Sequence, residues 1–160
     1  DRSSLLTAEE AAMREELMEW AYDEYETNQT HPEHKVFETK KGDYVRSKSE
    51  QKFANMLYDA GIPYRYEMKQ VINGNEHYTD FAMRQPLTGK YYMHEHFGLM
   101  DSKSYMYKTI DRLEDYFADG YLIGKDFFVT METKTRPVTD KEFEQIIKII
   151  LADNVPDSVI

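Results

Sequence analysis

The chain has 160 residues, no cysteine and a formal net charge of −10. That length is enough for one domain with its own core, and the missing thiols exclude a disulfide framework and a thiolate zinc site. No apolar run is long enough to cross a bilayer and no signal-peptide core opens the chain, so a cytoplasmic protein with no membrane partner is the expectation. Beginning at Asp1 rather than Met, the chain is open to being a piece of something longer.

The charge is unevenly spread. Residues 1–34 hold ten acids and two bases, whereas 35–160 hold twenty acids and eighteen bases. The first segment reads as a helix from Thr7 to about Thr27, started by a Thr7/Glu10 capping box. Leu6, Met13, Leu17, Trp20, Ala21 and Tyr25 form its apolar stripe. Its acidic face suits packing on the domain, self-association or a protein partner. A loop centred on Pro32 follows, and the division expected is 1–34 as an acidic helix and loop with 35–160 as the main domain.

Lys35, Lys40, Lys41, Arg46, Lys48 and Lys52 form a basic stretch fit either for a phosphate backbone or for plain solvation. Short β-like pieces flank Lys40-Lys41-Gly42. A helix is expected from Lys48 to Ala60, stopped by Gly61 and Pro63. Strands are expected at 64–72, 76–84 and 90–97, the first two joined by the hairpin turn Asn73-Gly74. A third helix, capped by Asp101 or Ser102, repeats Met106, Ile110, Leu113 and Phe117. A strand over 126–133 and a helix after the Thr139/Glu142 capping box complete the chain. This order predicts an α/β (α+β sandwich) fold around one mixed sheet with an antiparallel three-strand meander.

Three acids stand out: Glu50 near a helix start, Asp80 inside a strand and Glu95 near the end of the next. If Arg84 faces Tyr91, Asp80 lies opposite Glu95, and two carboxylates so close need a cation between them. A hard divalent cation takes such oxygen ligands. A one-residue slip in register would separate the two acids onto opposite faces. Glu50 has a plainer alternative role, bonding back to the Ser47 backbone N–H in a capping box.

The motifs Arg46-Ser-Lys-Ser-Glu50, Tyr78-Thr-Asp80-Phe81 and Glu95-His-Phe resemble, in order and placement, those of the PD-(D/E)XK nuclease superfamily. The resemblance spans roughly residues 44–133. It implies a restriction-endonuclease-like fold and an Mg2+- or Mn2+-dependent nuclease hydrolysing phosphodiester bonds, with DNA ahead of RNA as substrate. Glu50, Asp80 and Glu95 match the family acids. The lysine of Glu-x-Lys is replaced by Phe97, and Lys48 on the helix is the candidate basic group. The His96 backbone carbonyl is a candidate further metal ligand. The alternative is a catalytically degenerate nuclease-like module that binds nucleic acid or serves as a scaffold in a larger assembly.

Two rival features remain. His94 and His96 share a strand face, where a transition metal is one reading, and His31 and His34 lie close together around Pro32. Such histidines more often line a polar surface or satisfy a local hydrogen bond, and a zinc site needs further nitrogen or sulfur ligands. Tyr64, Tyr66, Tyr78, Tyr91 and Tyr92 suit base stacking, or simply the packing of a sheet.

Overall fold

Local signals decide most element boundaries. In a computed structural model, which describes residues 6–156, Ser47 caps helix α2 (Lys48–Asp59) by accepting from the Glu50 N–H, and Ser102 caps α3 (Lys103–Ala118) through Tyr105. Thr139 and Glu142 form the full capping box of α4 (Asp140–Ala152). The outermost ends of the two expected segments, 1–5 and 157–160, lie outside the described residues.

Helix α1 (Ala8–Tyr22) starts at Thr7 as expected but ends five residues before Thr27. The reason is tertiary. Tyr25–Thr27 leaves the helix to run along the edge of β3 (Tyr64–Ile72), where the Tyr25 hydroxyl accepts from the Tyr66 N–H and donates to its carbonyl. Glu26 accepts from the Lys69 N–H and Thr27 bridges Met68. An otherwise open sheet edge is thereby covered. Between this segment and α2, Phe37–Glu38 (β1) and Tyr44–Val45 (β2) form a small antiparallel pair.

The main sheet has the order β3-β4-β5-β6, where β4 is Asn75–Arg84, β5 is Tyr91–Phe97 and β6 is Phe127–Met131. The first three strands are an antiparallel meander and β6 joins β5 in parallel, giving a mixed sheet. Asn73 and Gly74 both have positive φ, as the tight β3–β4 turn requires. Helices α2 and α4 cover one face, with Phe53, Leu57, Tyr64, Phe81, Tyr92 and Phe143 in a single buried cluster. A smaller cluster on the other face joins Ile72, Met93 and Phe127 to Tyr116 of α3.

Helix α3 is turned from the expected orientation. Ile110 and Phe117 of the proposed apolar stripe are 45% and 47% exposed, while Thr109 and Tyr116 are buried. The inward row is Tyr105, Thr109, Arg112 and Tyr116, also at helical spacing. A buried acid on β5 turns the helix, because Glu95 takes its partners from Arg112 and Tyr116. The tyrosines divide similarly: Tyr64, Tyr66 and Tyr92 are core residues, and Tyr91 is half exposed beside Trp20 and Arg84.

Strict strand alternation also fails at one place. Phe81 packs against Phe53 and Tyr66 on the α2 face, yet Thr79, two residues earlier, hydrogen-bonds Tyr116 of α3. On β3, Tyr66 belongs to the α2-face cluster but Ile72 belongs to the α3-face cluster. Both strands therefore exchange faces between these positions. The pairing register is the same on either side of the exchange and omits only Glu67 opposite Asp80. Glu67 has φ +50°, a left-handed backbone that reorients the residues after it.

Candidate functional site

The register Arg84↔Tyr91 is the one on which the Asp80–Glu95 juxtaposition depended, and it is present. The regular β4–β5 pairing stops at Phe81↔His94, and the next position is given over to side chains. The Asp80 N–H donates to Glu95 Oε1 at 3.3 Å, and the Asp80 carboxylate accepts from the His96 N–H at 2.7 Å. Asp80 thus sits where the sheet changes faces and one ladder rung is missing.

Glu95 is 2% exposed and held from three sides. Tyr116 donates to it at 2.9 Å, and Arg112 approaches with Nη2 at 3.1 Å from Oε1 and Nε at 3.0 Å from Oε2. Arg112 Nη2 also donates to the Tyr78 carbonyl at 2.9 Å, which ties α3 to β4. Asp80 receives less. Burial, then the charges of Glu95 and Glu50, push its carboxyl well above the ordinary carboxylate range, against the opposing pull of the His96 N–H and Arg112. Burial likewise raises Glu95, with Arg112 as the chief opposing influence.

The two carboxylate oxygens of Glu50 have different partners. Oε1 accepts from the Arg46 N–H at 3.1 Å and the Ser47 hydroxyl at 3.2 Å, so the backbone partner is Arg46 rather than Ser47. Oε2 faces the sheet and accepts from the Tyr66 hydroxyl at 3.0 Å. Burial raises its carboxyl, and the charge of Glu67 adds to that. Glu50 senses Asp80 electrostatically but makes no hydrogen bond to Asp80 or Glu95. Among the described residues, the three acids do not close into a set with all ligand atoms within 4.8 Å. Asp80 and Glu95 are joined through the Asp80 N–H, and Glu50 is bonded to the Tyr66 hydroxyl.

Lys48 and His96 lie at the margin. Lys48 is exposed at the first turn of α2 and makes no hydrogen bond or ion pair among the described residues. Two positions from Glu50, it projects from a different side of the helix. His96 touches Asp80 through its backbone amide, while its Nδ1 lies 2.7 Å from the Thr130 hydroxyl. His94 Nε2 meets the same hydroxyl at 2.8 Å, so both rings converge on Thr130, and burial holds the His94 imidazole down to about 3. The rest of the basic stretch is spent internally: Lys35 and Arg46 on Glu67, Lys40 on Asp59, Lys52 on Asp140, and Lys41 on the Tyr64 carbonyl.

Sequence reasoning missed three residues. Glu67, 4% exposed, pairs with Arg46 at 2.7 Å and Lys35 at 3.3 Å directly opposite Asp80. Arg112 and Lys108 on α3 line a cleft of about 590 Å3 that also contains Asp80, Glu95, His96 and Tyr105. The helical spacing of Tyr105, Thr109, Arg112 and Tyr116 was the signal for Arg112. Nothing local marks Glu67.

Compared with known proteins, the chain matches no family model, no curated protein and no solved structure.

Proposed function

We propose that the chain is an Mg2+- or Mn2+-dependent nuclease with a restriction-endonuclease-like fold. One observation carries this reading. The half-buried Asp80 and the buried Glu95 line one cleft and are linked through the Asp80 N–H, with Arg112 as the ion-pair partner of Glu95 and the exposed Lys108 on the rim. Burial of like charges at such a cost is a recurrent mark of a functional site. The donor set is oxygen throughout and short of positive charge, which suits a hard divalent cation.

Asp80 and Glu95 are the ligands that would hold the ion, with Glu50 acting on it through water. Bound there, the ion supplies a more acidic water and neutralises phosphate charge. The protein contributes the rest. Arg112 is planar and charged beside Glu95, and its fork geometry would let it donate to a phosphate oxygen were Glu95 to ligate the ion. Lys108, free of protein partners among the described residues, reaches the same cleft and supplies a second cationic contact to the strand. These two cations on α3 take the place of the absent Glu-x-Lys lysine, in preference to Lys48. The local reorganisation at Glu67 and Asp80 opens one rung of sheet, so that carboxylate rather than backbone faces the cleft.

The favoured substrate is DNA, with RNA as the second candidate. The Arg112–Glu95 pair favours one alternative, a degenerate module in which an arginine has permanently replaced the cation and the cleft only binds nucleic acid. Cleavage of single- and double-stranded DNA and RNA with Mg2+ or Mn2+ separates the two. The nuclease reading expects native cleavage that Asp80→Asn and Glu95→Gln both abolish. Binding without cleavage, unchanged by either substitution, selects the degenerate module.

A further inference from the structure

A second group of ligand-type side chains lies outside the acidic cleft, in the turn His31-Pro32-Glu33-His34. His31 adopts a left-handed backbone (φ +47°, ψ +56°), and Pro32–His34 then forms one 3-10 turn that folds His34 back beside it. The His34 N–H donates to the His31 carbonyl at 3.0 Å. A non-glycine residue in that conformation persists where its surroundings enforce it. Arg46 does so from below: its guanidinium donates to the Thr30 and His31 carbonyls, each at 2.7 Å, while its Nε is locked on Glu67. Lys35 adds a bond to the Asn28 carbonyl at 2.8 Å. The backbone of the turn is anchored to the sheet although its side chains face solvent.

Those side chains converge. Glu33 Oε1 is 3.1 Å from His31 Nδ1 and 3.8 Å from His34 Nε2, and one ligand atom from each residue lies within 4.8 Å of the others. Two ligands each about 2.1 Å from a tetrahedral ion stand roughly 3.4 Å apart, between those two separations. The imidazole rings are nearly parallel, with centroids 4.9 Å apart, and their side chains are 59–68% exposed. Two imidazoles and a carboxylate suit a borderline transition-metal ion rather than magnesium. Exposure leaves the fourth position to water.

We propose that His31, Glu33 and His34 form a binding site for one transition-metal ion of the Zn2+ class, separate from the Asp80–Glu95 cleft. Isothermal titration of the full, tag-free chain with Zn2+, in a large excess of Mg2+ that occupies the Asp80–Glu95 cleft, tests it, with imidazole NMR signals read in parallel. One equivalent should bind and shift the His31 and His34 ring signals. His34→Ala and His31→Asn, the latter compatible with the left-handed backbone, should each weaken binding roughly tenfold or more, since loss of supporting groups around a metal already costs 10–100-fold. Glu33→Gln should weaken it in the same direction. Asp80→Asn should leave it unchanged. Zn2+ binding that survives both histidine substitutions, that disappears with Asp80→Asn, or that fails to saturate at one equivalent overturns the assignment.

Discussion

The two faces of the four-stranded sheet are built from different chemistry. On the α2/α4 face, Phe53 meets Phe81, Phe143 and His94 at ring-centroid distances of 4.6–5.1 Å, and even the histidine there is kept neutral by burial. On the α3 face, a buried carboxylate takes the centre and an arginine and a tyrosine are turned inward to meet it. The first face stabilises the fold by removing apolar surface from water. The second holds charge at a cost that apolar packing elsewhere must offset. The boundary between them is the missing rung at Glu67 and Asp80, where both strands cross over.

Substitutions should expose that contrast. The largest stability effect is expected from Phe53→Ala, a loss of about 3–5 kcal/mol typical of a truncated buried aromatic, measured by urea unfolding and indifferent to Mg2+. Arg112→Gln comes next. Removing one partner of a fully buried pair costs about 3–5 kcal/mol, and because Arg112 is partly open to solvent the loss should be nearer 2 kcal/mol. Unlike the first, this loss should shrink when Mg2+ is added; a loss that Mg2+ leaves untouched would argue against a cation beside Glu95.

Asp80→Asn should act in the opposite direction and stabilise the metal-free protein. A carboxyl whose folded pKa is raised binds more protons folded than unfolded across the interval from its ordinary value up to its raised one. Stability therefore falls as pH rises through that interval. His94 has the reverse sign: its contribution is complete above the ordinary value of 6.5 and is lost as pH falls from there toward about 3. Unfolding curves of the native and Asp80→Asn proteins, subtracted at each pH, cancel the histidine and leave the acid. A flat difference would remove Asp80 from the strained set. The smallest effect, about 1–2 kcal/mol, is expected for Tyr25→Phe, which takes both hydroxyl bonds from the Tyr66 backbone and uncovers the β3 edge. Hydrogen exchange at Tyr66 and Lys69 should quicken with it.

Much of this architecture is legible in the chain itself. Capping residues, Asn73-Gly74, Gly61 and Pro63 act through bonds a few residues long, so helix starts, the hairpin turn and the strand limits follow from local sequence. The Arg84↔Tyr91 register follows too, since a slipped meander would bury the wrong side chains. That register is what brought Asp80 beside Glu95. Long-range demands decided the remainder. Tyr25 left its helix because the Tyr66 backbone offered a better partner 41 residues away. Helix α3 turned its arginine inward because Glu95, on another element, required a cation. Glu67 took a left-handed backbone while paired to Arg46 and Lys35, and no nearest-neighbour pattern encodes such a pairing. Lys48 was assigned by analogy of position, yet helical geometry directs it away from Glu50. Local chemistry thus set the elements and the acids they carry, whereas the counter-charges, whose partners lie dozens of residues distant, were settled only when the sheet and α3 came together.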